Sequence, residues 1–283
     1  MSTIYYEICG VVFQIESPQK LTENKEGKQF NTDKKESDVI INIDEKEYIA
    51  EKMSNLYGQV AETKIWRNDT MIIRQIQDRF RPMPHIEMKY DLKDLSNIKV
   101  TICKEYWVWA SGTKYFWPGI GLHQLMLHFK TLFFHASYID YQGHGILFTA
   151  SSGTGKSTQA ELWRKYRDAV VINGDKAAVS LRKFPTVHSI PFSGTSGICR
   201  NVSLPLEAIV VLSQAKENTI HKMRFIESVS ALFSNIFVEK CISEEWNMAA
   251  DLVMELAQRV NIYSLACTPD EQAVEVLEKE LFK

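Results

Sequence analysis

The stretch Ile146-Leu147-Phe148-Thr149-Ala150-Ser151-Ser152-Gly153-Thr154-Gly155-Lys156-Ser157-Thr158 constrains this chain more than any other. A short apolar run stops at small residues, and Gly-Lys-Ser-Thr then opens a segment whose apolar positions Ala160, Leu162 and Trp163 fall at helical spacing. The pattern reads as strand, glycine loop, helix. Backbone N–H groups at a helix start attract phosphate oxygens, and glycine lets them come close without a Cβ in the way. Ser152, Gly153, Thr154, Gly155, Lys156, Ser157 and Thr158 are therefore the expected nucleotide contacts. Lys156 would act as a point charge on the β- and γ-phosphates, and Ser157 as a Mg²⁺ ligand. The usual pattern G-x-x-x-x-G-K-[ST] begins with glycine. Here that place is Ala150, which forbids positive φ and is harmless only where none is needed.

Composition narrows the partners. At 283 residues and 45% hydrophobic content the chain can bury a sizeable core. A formal charge of −2 leaves no electrostatic footprint for a polynucleotide, so nucleic acid is not an expected partner. The five cysteines, Cys9, Cys103, Cys199, Cys241 and Cys267, form no Cys-x-x-Cys pair and no zinc-like spacing, which fits reduced thiols. No run approaches the ~20 apolar residues of a membrane helix, and Met1 to Glu7 lacks the basic start of a signal peptide. A soluble, cytoplasmic protein with no membrane partner is expected.

β-branched and aromatic residues dominate the first third. Ile4 to Ile15 read as extended chain with a bulge or tight approach at Gly10, and Glu16 to Lys35 as an exposed loop. Strand-like pieces recur at 38–43, 48–49, 64–66, 71–77, 86–90 and 99–103. Trp66, Trp107, Trp109 and Trp117 read as core, with a peptide-binding edge strand as the alternative use of this region. Near Trp117-Pro118 the pattern changes. Residues 119–134 are apolar nearly all round and predict one buried helix, with His123 and His128 packed in it.

Two extended runs, His135 to Tyr141 and His144 to Thr149, flank the turn Gln142-Gly143 and lead into the glycine loop. Beyond its helix, Ala169 to Ile172 is a short strand followed at once by Asn173-Gly174-Asp175-Lys176. An acid at the end of a core strand stands where it can hold Mg²⁺ or accept a proton; a simple Asx turn at Asp175 is the bland reading. The small residues from Phe192 to Asn201 read as a loop that closes on a substrate, with Arg200 meeting phosphate charge, or as a plain connector. A strand at 206–212, helices at 225–237 and 244–259, and a last strand and helix capped by Thr268 complete the chain. The expected architecture is α/β: a β-rich N-terminal domain over residues 1–115, then a P-loop nucleotide-binding domain over 116–283.

The run His135-Ala136-Ser137-Tyr138-Ile139-Asp140-Tyr141-Gln142-Gly143-His144-Gly145-Ile146-Leu147, feeding the glycine loop, resembles the active-site entry of the HPr kinase/phosphorylase family. That family belongs with the phosphoenolpyruvate-carboxykinase-like P-loop proteins. The resemblance spans roughly residues 118 to 283 and is specific at the loop and at His135. It implies that His135 stands near the transferred phosphate. The family also carries an acidic pair after the next strand; Ile172-Asn173-Gly174-Asp175 keeps only Asp175, with Gly174 in place of the first acid. Ser203 to Leu212 and Cys267 to Asp270 resemble diverged HPr-kinase-like proteins, some of which phosphorylate precursor peptides beside peptide-tailoring systems. Such proteins often assemble, so a homo-oligomer is an expected partner.

These readings predict a kinase that moves the γ-phosphoryl of ATP, with Mg²⁺, to a hydroxyl of a peptide, protein or small molecule. Asp175, His135, Lys156 and Arg200 form the expected catalytic set, and Ser157 and Asp175 the metal ligands. A non-catalytic ATP-binding sensor or scaffold is the alternative, toward which Ala150 and Gly174 point. A phosphoenolpyruvate carboxykinase-type enzyme would need clustered His, Lys and Asp for a second metal, which the sequence does not offer.

Overall fold

The structure is a computed structural model describing residues 1–52, 56–78, 81–194 and 196–283. The chain divides into two compact units, Met1–Leu125 with Glu239–Trp246, and Met126–Val238 with Asn247–Lys283.

In the first unit, β1 (Ser2–Ile8) turns into β2 (Val11–Ser17) through Cys9 and Gly10, at φ of 51° and 70°. Positive φ at both central residues is what a two-residue hairpin demands, so Gly10 serves a turn. The sheet continues with β3 (Val39–Lys46), β4 (Leu56–Val60), β5 (Thr63–Asn68), β6 (Met71–Asp78), β7 (Arg81–Asp91) and β8 (Asp94–Cys103). Among the described residues its order is β1-β2-β3-β8-β7-β6-β5-β4. Val39, Ile41 and Ile43 of β3 are buried while the residues between them are less so, the period-two signature of a strand with one covered face. Residues 48–49 lie outside any strand, and the expected loop carries the short helix α1 (Lys25–Lys28), capped by Asn24. Trp66, Trp107 and Trp117 are core, but Trp109 is 45% exposed.

The single helix expected over 119–134 does not form. After α2 (Trp107–Ala110), α3 (Thr113–Gly119) runs just past Pro118, Gly121 takes φ +66°, and α4 (Leu122–Leu125) is a single turn. A 3₁₀ turn (Met126–Phe129) follows, and Lys130 at φ 51° swings the chain into β9 (Thr131–Phe134). A segment buried on every side has no periodicity by which a helix can be told from a buried strand.

The second unit continues with β10 (Ala136–Tyr141), β11 (His144–Thr149), α5 (Lys156–Arg167), β12 (Val170–Asn173), β13 (Ala177–Ser180), β14 (Thr186–His188), β15 (Ser203–Gln214) and β16 (Thr219–Lys222). Then come α6 (Phe225–Phe233), α7 (Ser243–Arg259), β17 (Asn261–Cys267) and α8 (Glu271–Leu281). The strand path is β12-β10-β11-β15-β14-β13-β9, with β17 paired to β15 and β16. Only β11–β15 and β15–β17 are parallel among the described pairs of this unit, so the sheet is mixed and not an open parallel one. Along β11 alternate residues point to opposite faces. Ile146 and Phe148 pack with Ala160 and Trp163 of α5 and Val274 and Leu277 of α8, while Leu147 packs with Leu252, Val253 and Leu256 of α7. Each buried Val, Leu, Ile or Phe among them contributes about 1.5–3 kcal/mol of burial. Asp270, not Thr268, caps α8: its carboxylate accepts from the Ala273 amide at 3.2 Å, and the Thr268 hydroxyl donates to it at 2.6 Å. No described helix is long and apolar enough to cross a membrane.

Candidate functional site

Strand direction places the candidate residues together. β10 is antiparallel to both β11 and β12, so β11 and β12 run the same way and end at the edge where β10 begins. His135 precedes β10, the glycine loop follows β11, and Asn173-Gly174-Asp175 ends β12. Gln142 and Gly143, at φ of 53° and 85°, close the hairpin that sets this alignment.

The loop's conformation explains its residues. Gly153 and Gly155 have φ of 79° and 120°, and a Cβ on either would meet nothing within 4 Å, so both backbones border open space. Ala150 is not among the residues at positive φ, so its methyl group costs nothing there. Lys156 opens α5 and is 7% exposed; its Nζ donates to the carbonyls of Ala150 at 2.9 Å and Ser151 at 3.2 Å. Burial pushes this ammonium below the ordinary lysine range, against the opposing pull of Asp175. The Ser157 hydroxyl donates to the Gly174 carbonyl at 3.4 Å, joining the loop to the end of β12.

Asn173, fully buried, makes the turn that the sequence left open to Asp175: its Oδ1 accepts from the amides of Asp175 and Lys176, both at 3.1 Å. The Asp175 carboxylate is thereby left for other partners. Its Oδ2 accepts from the Ser196 amide at 3.0 Å and from the Ser196 hydroxyl at 2.6 Å. Burial pushes the Asp175 carboxyl up, but the two Ser196 hydrogen bonds, Lys176 and His135 outweigh it, and the group sits below the ordinary range. A Cβ at Gly174 would stand 2.6 Å from Ser196 Oγ, so the approach of that serine excludes any side chain at 174.

His135 is anchored through its backbone: its amide donates to Asn235 at 2.9 Å, and its carbonyl accepts from the Thr149 hydroxyl at 3.0 Å. Burial first, then the charges of Lys156 and Lys176, push the imidazole below its usual range, with Asp175 opposing. At neutral pH the ring is neutral and can accept a hydrogen bond.

These groups surround a cavity of about 490 Å³. Ser152, Gly153, Gly155, Lys156, Ser157 and Thr158 line it from the loop, Gly174, Asp175 and Lys176 from the end of β12, and His135 and Gly194 complete it. A second cavity of about 440 Å³ shares Gly153, Gly155 and Thr158, and adds Thr154, Gln159, Leu212, Gln214, Ala215, Cys267, Thr268 and Pro269. Arg200 lines neither. Its side chain is exposed, and the contact that fixes it is its backbone amide on the Ile172 carbonyl at 3.0 Å. Within the loop expected to close on a substrate, Thr195 lies outside the described residues. Asn173, Lys176 and Ser196 were missed from sequence. Asn-Gly is a turn signal that names Asn173, but nothing local announces that Ser196 returns to Asp175.

No curated protein matches the sequence. Among solved structures, the chain is similar to the HPr(Ser) kinase/phosphatase from Coxiella burnetii at 8% identity and a TM-score of 0.31, over 52% of this chain and 95% of that one. The family described as SynChlorMet cassette protein ScmC matches residues 122–283. That match takes in every residue lining the two cavities and more than half of the chain, and the chain belongs to the ScmC family.

Proposed function

We propose that this protein is a kinase that transfers the γ-phosphoryl of ATP to a hydroxyl of a peptide, protein or small molecule. The observation that carries the reading is the meeting, at one sheet edge, of an open glycine loop, a lysine held by that loop and an ionised aspartate. The residues fit a nucleotide tail: the two positive-φ glycines leave a cradle that a side chain would fill, and the amides at the start of α5 suit anionic oxygen.

Bound Mg-ATP would supply the phosphoryl group and a cation to offset its charge. Lys156 and the amides from Gly153 to Thr158 would bind the β- and γ-phosphates, and Ser157 with Asp175 would hold the metal. The second cavity shares Gly153 and Gly155 with the first and would take the nucleoside. Asp175 Oδ2 accepts the acceptor's proton, and neutral His135 orients that hydroxyl by a hydrogen bond. A family described as a cassette protein fits an acceptor encoded beside it. ATP binding without turnover is the second reading, favoured by the occupation of Asp175 by Ser196.

Two variants test the proposal. Lys156→Ala is expected to lose Mg-ATP binding in equilibrium dialysis. Asp175→Asn is expected to keep most binding but to lower phosphoryl transfer to co-expressed peptides about 10²–10³-fold. A wild-type protein that binds Mg-ATP and phosphorylates nothing would favour the second reading.

A further inference from the structure

Ser196 stands in a position that a connector has no need of. Its exposed hydroxyl donates to Asp175 Oδ2 at 2.6 Å, within the short range of a hydroxyl bonded to a carboxylate. This is the distance a general base needs from the hydroxyl it deprotonates. Its amide grips the same oxygen at 3.0 Å, and its hydroxyl accepts from the Ile198 amide at 3.3 Å, which fixes the side-chain direction. Gly174 is bare where a Cβ would strike Ser196 Oγ and Cβ at 2.6 and 2.7 Å, so the end of β12 is shaped to admit this serine. Gly174, Asp175 and Gly194 line the first cavity, and the Ser196 hydroxyl is joined to that lining by its bond to Asp175.

We propose that Ser196 is the protein's own acceptor, phosphorylated in cis with Asp175 as the base. This rests on the kinase reading and adds a modification site and a form of regulation to it. The Ser196 Oγ–Pγ bond forms as the bond from Pγ to the β,γ-bridging oxygen breaks. The hydroxyl proton passes to Asp175, and ADP leaves with the electron pair. The product places a phosphate monoester of about −1.5 to −2 charge against a carboxylate, and the repulsion drives the loop off Asp175. The unmodified loop thus excludes an external hydroxyl from the base, and self-phosphorylation admits one.

The test uses the full chain with Mg-ATP and tandem mass spectrometry. The expected result is one added phosphoryl group, located on Ser196, at a rate per molecule that is unchanged by dilution. Ser196→Ala is expected to lose the label, and Ser196→Thr, which keeps a hydroxyl, to carry it on the threonine. Without nucleotide, the Ser196 amide is expected to exchange its hydrogen slowly in the wild type and faster in Asp175→Ala, a readout independent of turnover. Protein that binds Mg-ATP and labels an added peptide while Ser196 stays unmodified would overturn this inference and leave the kinase reading standing. Label at another residue, or a rate that falls on dilution, would also overturn it. Failure to bind Mg-ATP at all would remove both.

Discussion

Two charged clusters in this molecule are resolved in opposite ways. In the first unit Arg74, 2% exposed, makes a two-pronged pair with Glu239 at 2.6 and 2.7 Å. The Glu239 amide donates to Gln124, and Gln124 and Tyr90 donate to the fully buried Glu245 at 2.6 and 2.8 Å. Arg74 and Glu239 meet there as opposite charges, and Glu245 is enclosed, fully buried, by the neutral donors Gln124 and Tyr90. In the second unit Lys156 is held by neutral carbonyls and Asp175 by a serine, and both border a cavity. Neutral dipoles satisfy an ion's hydrogen bonds without cancelling its charge, so where the ion borders a cavity, as Lys156 and Asp175 do, that charge stays available to a guest. The difference separates a cluster whose charges are enclosed by the fold from one whose charges face open space.

The comparison breaks most easily at Arg74. Arg74→Met leaves Glu239 buried without its partner, and breaking a buried pair in this way costs about 3–5 kcal/mol. Urea unfolding is expected to read that loss, and Arg74→Met with Glu239→Leu to recover much of it. Asp175→Asn is expected to change stability by about 1 kcal/mol or less, because a neutral amide still accepts from Ser196. Equal losses from the two single variants would erase the distinction between the clusters.

The two clusters also differ in how far they can be read from sequence. The loop, His135 and Asp175 lie within one short stretch of strands and turns, where spacing and glycine chemistry are local properties, so their approach to one edge was legible. The Arg74 network joins β6 and β7 to residues 239 and 245, more than 150 positions away, and no periodicity records such a pairing. Ser196 is only 21 positions from Asp175, but it lies in a loop where no strand or helix spacing records its return to that carboxylate. Arg200 was read by charge alone, but the contacts it makes among the described residues hold its backbone, through Ile172 and Val202. The 119–134 segment misled because uniform apolarity erases the pattern that distinguishes helix from strand.

His188 sharpens the comparison with a third arrangement, a titratable group that burial keeps neutral. It lies between the Ser180 hydroxyl at 2.9 Å and the Ser203 hydroxyl at 2.7 Å, and burial first, then Arg182, lower its pKa to about 4. The unfolded histidine takes a proton near pH 6.5, the folded one only near 4, so between these values the unfolded chain binds more protons. Stability is therefore complete above about pH 6.5 and falls as pH drops, by about 3 kcal/mol at pH 4. Thermal melts across that window are expected to show the slope, and His188→Gln to remove its own share of it, because burial also lowers His123 to about 4 and His123 adds a slope of the same sign. A slope unchanged in His188→Gln would assign the acid sensitivity elsewhere.

A smaller effect than those at Arg74 and His188 tests whether the open cluster is shaped by one close approach. An added Cβ at Gly174 meets Ser196 Oγ at 2.6 Å and Cβ at 2.7 Å, so Gly174→Ala must push the serine from Asp175. Overpacking of this kind costs about 1–3 kcal/mol, and the low end is expected because the loop bearing Ser196 is exposed and can yield. Ser196→Gly removes both clashing atoms. In that background Gly174→Ala is expected to cost close to nothing, so the double variant is less destabilised than the sum of the singles, and the coupling measures the contact itself. Additive losses would mean that the two residues act independently, and that the bareness of Gly174 serves something other than the serine.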